Sequence, residues 1–530
     1  MSSKISRMNT PVTRLPTPEE VAALSPQQVL EQAQEVCAHL QHQLDWFKRQ
    51  LFGQKSEKRL PDVSPGQMSL GELFQTLTTQ PVNGQAVAAH SRQPRKPKDE
   101  DSDTLGFFDA ERVPVEVIDI ANPEIEGLRP DQYNIIGYKD SYRLAQRPGS
   151  YVVLHYRRTQ IKLLDDSVLC CPPAPTGVID GSRADVSFLV GLIIDKLAYH
   201  LPLYRQHQRL LDAGFKLSRQ WLIQLMQQTA ALLEPVYEAQ LASVRASRVK
   251  AMDETPIKAG QSGAGKLKAA YFWPVYGEQD EICFPYCESR RSEHVAQILG
   301  LDITADAVLL SDGYTAYAKY AEKTGLTHAQ CWAHSRRYFF EAKDAEPDAS
   351  AEALEQIGAL YAVEVQLREL ALKGQKKREY RQEHSKPLVE RFFAWVTQQF
   401  WRQGLLPSSP LTKALNYVRE RRCGLEVFLL DPDVPIDTNH LERALRAIPM
   451  GRRNWLFCWT DLGAKQIGIL QSLITTCRLQ RIDPYTYLVD VLQRIGQHPA
   501  SAVAQLTPRQ WKQHFAANPL RSDLDRVPHK

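Results

Sequence analysis

The sequence predicts a multidomain α/β protein whose largest unit is a mixed sheet covered by helices. Three observations predict it. At 530 residues and about 150 residues per domain, the chain holds roughly three or four units. Strand-like runs come first, then helical periodicity, then strands that alternate with helices, which is the order expected of mixed sheets with helical layers. The composition, 43% apolar and 24% charged, is that of an ordinary soluble chain and excludes wholesale disorder, collagen and a disulfide scaffold. Apolar runs such as 188–194 fall far short of the roughly 18 residues a membrane helix needs. The N-terminus has no apolar core for a secretory signal. Nine cysteines, mostly scattered singly, point to a reducing cytosol.

Each element follows in order. Residues 1–28 are rich in Pro, Ser and Thr and read as a flexible N-terminus. Over 29–60, Leu30, Cys37, Leu44 and Leu51 are spaced by seven, with Ala33, Leu40 and Phe47 on the second seam. That a/d pattern predicts a short self-associating coiled coil; an amphipathic helix packed on its own chain is the other reading. Residues 61–105, with five prolines and the run Arg95-Lys96-Pro97-Lys98, read as a linker. Residues 106–180 predict a small β-rich domain with strands near 113–120 and 151–162. Residues 181–247 are helical. Gly214 interrupts them, and Ser218 offers an N-cap before Trp221, Leu222 and Leu225. That is a helix-turn-helix DNA-binding region or an ordinary helical hairpin.

Residues 248–480 form the largest unit. Strands are predicted at 249–257, 268–276, 281–286 and 307–311, with a helix at 292–299. Another strand at 328–334 should run into a helix from Ser335. A helical insertion covers 338–430. A short helix at 439–447, ended by Pro449, precedes a periodic helix at 463–480. Residues 481–530 complete the chain as a C-terminal helical element and tail.

Charge is uneven. Residues 401–530 carry 18 Lys and Arg against 11 Asp and Glu, and 441–481 carry 7 against 2. A local basic region in a nearly neutral chain suggests a polyanion, most often nucleic acid; a solvated face is the bland reading. Three acids stand out by context: Asp253 on a strand, Asp312 at a strand end and Glu442 on a short helix. Singly they read as a strand end, an Asp-Gly turn and a helix pair with Arg446. Together, two acids on neighbouring strands and one on a covering helix can converge at a sheet edge. Such oxygen ligands suit Mg²⁺, and two ions about 3.5–4 Å apart serve in-line phosphoryl displacement.

Several stretches resemble the insertion-sequence 66 family of DDE transposases. They are Leu51 to Lys58, His200 to Gln206, Asp253-Glu254-Thr255, Ser311-Asp312-Gly313-Tyr314, Cys331 to Arg337, Asn439 to Arg446 and Gly451 to Phe457, in order over roughly 30–495. The resemblance implies an RNase H-like catalytic domain. In it Asp253, Asp312 and Glu442 would bind two Mg²⁺ (or Mn²⁺) ions, cut the terminal inverted repeats and join the freed 3′ ends to target DNA. It further implies a bacterial cytosolic, nucleoid-associated protein, a homo-oligomer, DNA as partner and room for small accessory proteins, with no membrane. Arg443, Arg446, Arg452, Arg453 and His334 are expected at DNA phosphates, with Arg446 also orienting Glu442. Trp455 and Trp459 would stack on an unpaired base or lie in the core. Should Glu442 not be the third acid, Glu420 and Glu426 are the substitutes.

The chain departs from the family twice. The paired Cys-x-x-Cys motifs before the helical segment are replaced by the adjacent Cys170-Cys171, so a structural zinc, which needs four ligands, is not carried over. Asn439 is followed by His440 where a second Asn is usual. Gly260 to Lys266 mimics a phosphate loop, but Leu267 follows and the chain enters a strand, so a loop between strands is expected. Cys283, Cys287, Cys331 and His334 could be drawn as a zinc set, yet strand residues four apart lie about 13 Å from each other. Two other functions stay open: a nuclease of the same fold without strand transfer, and a non-catalytic DNA-binding regulator.

Overall fold

The computed structural model describes Gln27 and residues 107–526, with short breaks at 110, 112, 127, 131, 148, 164–168, 264, 305, 403–404 and 455. The expected N-terminal segment, coiled coil and linker, and Trp455, lie outside the described residues. The first sheet holds β1 (Val115–Ile120), β2 (Tyr133–Arg147), β3 (Ser150–Leu163) and β4 (Leu169–Cys170). β1 pairs parallel with β3, and β2 and β4 pair antiparallel with it. The strands expected near 113–120 and 151–162 correspond to β1 and β3.

Three helices follow: α1 (Val186–Leu197), α2 (Leu203–Asp212) and α3 (Arg219–Ala246). Asp185 caps α1 by accepting from Ser187 N at 2.8 Å. Ser218 caps α3 by accepting from Trp221 N, satisfying one of the free N–H groups of a helix start. The turn between α2 and α3 needs Gly214, whose φ is +96°. With 28 residues, α3 runs past the turn region into the next unit, where Gln240 Nε2 donates to Ile282 O and Thr476 Oγ1.

The large unit contains β5 (Val249–Met252), β6 (Thr255–Gly263), β7 (Lys266–Phe272), β8 (Val275–Gly277), β9 (Glu281–Cys283) and β10 (Tyr286–Cys287), then α4 (Glu293–Leu299), β11 (Val308–Ser311), α5 (Thr315–Thr324), β12 (Thr327–Gln330) and α6 (Trp332–Glu341). Five strands form a sheet in the order β12-β11-β5-β8-β9. β12, β11 and β5 are parallel; β8 and β9 are antiparallel. β6, β7 and β10 form a separate antiparallel sheet. The strand expected at 249–257 is therefore two strands, because the chain leaves the main sheet at Asp253 and enters the second. The strand expected at 268–276 divides between β7 and β8 in the same way. The strand expected at 328–334 stops at Gln330, and the helix starts at Trp332. The Gly260 to Lys266 stretch ends β6 and begins β7.

The insertion supplies α7 (Pro347–Glu369), α8 (Gly374–Tyr380), a π-helical turn (Arg381–Ser385), α9 (Lys386–Phe400), α10 (Pro410–Glu420) and α11 (Arg422–Leu430). After it come α12 (Asn439–Leu445), α13 (Ala447–Arg453), α14 (Asp461–Leu479), α15 (Pro484–Arg494) and α16 (Pro508–His514). Pro449 does not end the helix as expected: the break falls at Arg446, and Pro449 sits in the first turn of α13, where its missing N–H costs nothing. α14 covers the edge of the main sheet. Ile282 N and Phe284 N, free of strand partners there, donate to Thr476 Oγ1 at 3.1 Å and Ser472 Oγ at 2.8 Å. Gly468 permits this approach, since a Cβ would collide with Phe284 O. Among the described residues, no helix is long and apolar enough to cross a membrane.

Candidate active site

Asp253 follows the last residue of β5, and Asp312 follows the last residue of β11. The two strands are adjacent and parallel, so both acids emerge at the same carboxyl edge of the sheet. Glu442 lies on α12. All three line one cleft of about 960 Å³, with Glu254, Glu341, His334, Arg290, Arg337, Arg421, Arg443 and Arg446 also on its walls.

Two links place the Glu442 helix. Cys331, just before α6, accepts at Sγ from Thr438 N (3.3 Å) and Thr438 Oγ1 (3.2 Å), just before α12. Arg248, just before β5, reaches across to Asp431 (2.6 Å) and Asp433 (2.8 Å), so the chain that leads into α12 is tied to the strand that ends in Asp253.

The carboxylates are poorly compensated. Asp253 has its pKa pushed up to about 7, first by burial and then by Glu254, with smaller contributions from Asp312 and Glu442. Glu254 N donates to Asp253 Oδ1 at 2.7 Å, which opposes the shift without cancelling it. Asp312 Oδ1 accepts from Tyr314 N at 2.9 Å. Glu442 is 3.8 Å from His334 Nε2 and 4.0 Å from Arg337 Nη2, and its buried Oε1 accepts no hydrogen bond. The expected partner, Arg446, lines the cleft but does not pair with Glu442; His334 and Arg337 stand nearest instead. Burial holds His334 below the ordinary histidine value against the pull of Asp312 and Glu442, and its Nδ1 is buried without a partner.

Glu254, by contrast, is fully engaged. Arg290 Nε donates to its Oε1 at 2.8 Å, and Tyr317 Oη to its Oε2 at 2.6 Å. Arg290 in turn stacks on Tyr314, 4.3 Å from the ring centroid. Asp312-Gly313 has a more specific cause than a turn. A Cβ on Gly313 would lie 2.6 Å from both Arg421 Nε and Tyr417 Cε2, so glycine lets this wall close over the Asp312 backbone. Arg421 Nη2 donates to Gly313 O at 3.2 Å.

The donor chemistry suits a hard cation: half-buried carboxylates, one of them with a buried oxygen that accepts no hydrogen bond. Among the described residues, no three His, Cys, Asp or Glu side chains lie close enough to hold one ion.

Sequence reasoning found Asp253, Asp312, Glu442, His334, Arg443 and Arg446 on this cleft. It missed Arg290, Tyr417 and Arg421, which have no local motif and arrive from the loop after β10, from α10 and from the junction of α10 with α11. Glu254 and Arg337 were within reach as members of the family-like motifs. Glu420 and Glu426 do not line the cleft: Glu426 pairs with Arg422 at 2.8 Å on α11, and Glu341 is the further acid on its wall. Arg452 and Arg453 lie beyond the cleft on exposed α13. Trp459 is 51% exposed, not in the core.

Comparison with known proteins gives these residues a context. The chain is 29% identical to uncharacterized protein y4hP of Sinorhizobium fredii (strain NBRC 101917 / NGR234), over 90% of this chain and 89% of that one. It is 28% identical to uncharacterized protein y4jD of the same organism, over 92% and 97%. A family model described as IS66 C-terminal element matches 472–509, and one described as Transposase C of IS166 homeodomain matches 39–105. The model described as Transposase IS66 family matches 181–466, from α1 through both strand acids and Glu442 into α14. The chain belongs to the IS66 family of transposases.

Proposed function

We propose that this transposase cuts DNA at the ends of its element and joins them to a target, using Asp253, Asp312 and Glu442. The observation that carries the reading is the shared cleft: two acids at the ends of adjacent parallel strands and a third on a covering helix. The strand order β9-β8-β5-β11-β12, three antiparallel strands followed by two parallel ones, supports an RNase H-like fold for this unit.

Asp253, Asp312 and Glu442 would hold Mg²⁺ or Mn²⁺, two ions in the full site. Bound there, such ions supply charge stabilisation at the attacking and leaving oxygens. In the first step a water oxygen bonds to phosphorus and the P–O3′ bond breaks, leaving a 3′-hydroxyl. In the second, that 3′ oxygen bonds to a target phosphorus and the target's own P–O3′ bond breaks. The chain's part is positioning. Arg443 and Arg446 face the cleft to bind phosphates on either side of the cut. The neutral His334 donates a hydrogen bond there, and Arg421 and Tyr417 wall the site. The α2-turn-α3 region, with α3 capped at an exposed start, supports a helix-turn-helix that reads the element ends. The heptads of 29–60 support a homo-oligomer able to hold two ends, acting in the bacterial cytosol at the nucleoid.

The test is incubation of Asp253→Ala, Asp312→Ala and Glu442→Gln with cloned element ends and Mg²⁺. Each variant should lose cleavage by well over the roughly hundredfold cost of an outer-shell change while still binding the ends. If Glu442→Gln cuts normally, Glu341 replaces it as the third acid. Cleavage without joined products would favour a nuclease lacking strand transfer, and metal-independent binding with no cleavage a regulator.

A further inference from the structure

Beyond α13 the chain runs as an extended segment along the second sheet. Cys458 N donates to Lys258 O at 2.9 Å, and Gly260 N donates to Cys458 O at 3.1 Å. Residues 457–459 thus lengthen the edge of the β6–β7 hairpin, with Cys458 opposite Ala259. Those two side chains are buried. Alternation then turns their neighbours the other way, and Phe457 and Trp459 stand 39% and 51% exposed. Their rings meet edge to face, with centroids 6.1 Å apart.

An isolated exposed apolar residue needs no explanation, but a paired aromatic surface does. Its surroundings are cationic. Lys258, Arg452 and Arg453 are exposed, and Arg452 Nη1 is anchored on Pro256 O at 3.0 Å. Asp461, an acid on this side, is engaged by the hydroxyl of Tyr286.

We infer that Phe457 and Trp459, flanked by Lys258, Arg452 and Arg453, form a platform for unpaired DNA bases next to the cleft. The inference rests on DNA being the substrate and adds which form of DNA is held and where. Aromatic faces on which bases stack, set along a basic track, are the combination that binds single strands without sequence preference. A second protein surface would call for carboxylates opposite the arginines, whereas phosphates between stacked bases match both features at once.

β6 acts as a ruler. Ala259, beside Cys458, is six residues beyond Asp253, and an extended chain spans at most about 3.5 Å per residue. Ala259 therefore lies within about 21 Å of Asp253, and the platform's strand runs about 5 Å beside it, a span of roughly eight nucleotides of stacked strand at 3.4 Å each. Strands opened close to the cut would reach it.

The test uses the full-length protein with chelator, so that binding is read without cleavage. The probes are labelled single-stranded dT20 and a blunt 20-base-pair duplex, followed by fluorescence anisotropy. Trp459→Ala and Phe457→Ala should each weaken dT20 binding by about tenfold or more, within the range for removing one base–aromatic stack. Duplex binding should change less than about twofold, and Trp459→Phe should recover most of the loss. Both positions are exposed, and an unchanged circular dichroism melt checks the fold. Equal losses on both probes, or none on either, overturn the platform. So does loss of self-association with dT20 binding intact, which would make the pair a contact between chain copies. A wild-type protein that cuts duplex ends yet ignores dT20 would also sink the platform while leaving the proposed activity standing. Loss of cleavage in Asp253→Ala with dT20 binding kept would separate the two the other way.

Discussion

Two groups of charged side chains in this unit, one buried and one half-buried at the cleft, are treated in opposite ways. In the insertion, Arg381 is fully buried and every part of its guanidinium is used. Nε and Nη2 donate to the two oxygens of Glu364 at 2.8 and 2.9 Å. Nη1 donates to the carbonyls of Phe428 (2.8 Å), Asp431 (3.3 Å) and Val434 (3.0 Å). In the cleft, Asp253 is held far from its ordinary pKa and Glu442 Oε1 is left without a donor. A buried charge that the chain itself satisfies fixes structure. One that the chain leaves unsatisfied is waiting for something the chain does not supply.

The largest effect should come from breaking the satisfied group. Arg381→Ala strands Glu364 and three carbonyls, and removing one partner of a buried pair costs about 3–5 kcal/mol. A large fall in melting temperature is expected, and with it loss of cleavage, because Arg381 ties the insertion to the chain leading into α12. Replacing both partners, Arg381→Met with Glu364→Met, should regain much of that stability. If Arg381→Ala melts like the wild type, the pair is not structural and the contrast fails.

The cleft should answer in the opposite direction. An unfolded Asp titrates near 3.9, and Asp253 in the fold near 7. Between those values the native state binds more protons than the unfolded state, so the contribution of Asp253 to stability falls as pH rises and is fully lost above about 7. Three units correspond to roughly 4 kcal/mol at most. In chelator, wild-type protein should therefore melt lower at pH 8 than at pH 5.5, and Asp253→Asn should narrow that gap while abolishing cleavage. A gap of equal size in Asp253→Asn would show that the cleft carries no such strain.

Much of this arrangement can be read in the sequence, and the remainder has a physical reason for being hidden. Asp253 and Asp312 each follow a short, mostly apolar four-residue run, Val249 to Met252 and Val308 to Ser311, so their place at strand ends is a local property. Ser218 and Gly214 announce the cap and turn between α2 and α3 by their chemistry alone. The division of 249–257 into β5 and β6 is not local: both halves are β-prone, and only the pairing partners decide where the chain changes sheets. Arg381 looks like one more surface arginine in a charged run, and its burial depends on carbonyls 47 to 53 residues away. Trp459 misleads for the opposite reason, since an aromatic residue between strands usually enters the core, yet here Cys458 takes the inward position.

Gly313 offers a smaller and more specific test. Its side of the cleft is closed by Tyr417 and Arg421, and a methyl group would sit 2.6 Å from each. Overpacking of this kind typically costs about 1–3 kcal/mol, taken up here by moving the wall away from Asp312. Gly313→Ala should lower kcat for cleavage with little change in end binding. Adding Tyr417→Leu, which shortens the obstructing side chain, should restore part of the rate. If Gly313→Ala cuts at the wild-type rate, the wall moves freely and does not position Asp312.

The arginines repeat the same contrast at the surface, with the smallest expected effect. Arg381 spends all its donors within the protein, whereas Arg452 spends one on Pro256 O and Arg453 stands exposed on α13. Donors left over near the cleft are free to take phosphate if DNA is held there as proposed. Removing one phosphate interaction lowers the salt slope of duplex binding by about 0.9. Arg452→Ala with Arg453→Ala should therefore weaken binding to end DNA and random duplex alike, and flatten log K against log salt by about one to two units. Arg446, which lines the cleft without pairing to Glu442, should cost cleavage more than affinity when replaced by Ala. Binding titrations across several salt concentrations measure both. The aromatic pair beside these arginines gives an internal control, because Trp459→Ala removes stacking but no charge and should leave the duplex slope where it was. An unchanged slope in the double arginine variant would mean that α13 presents a solvated face, and that the DNA track ends at the cleft.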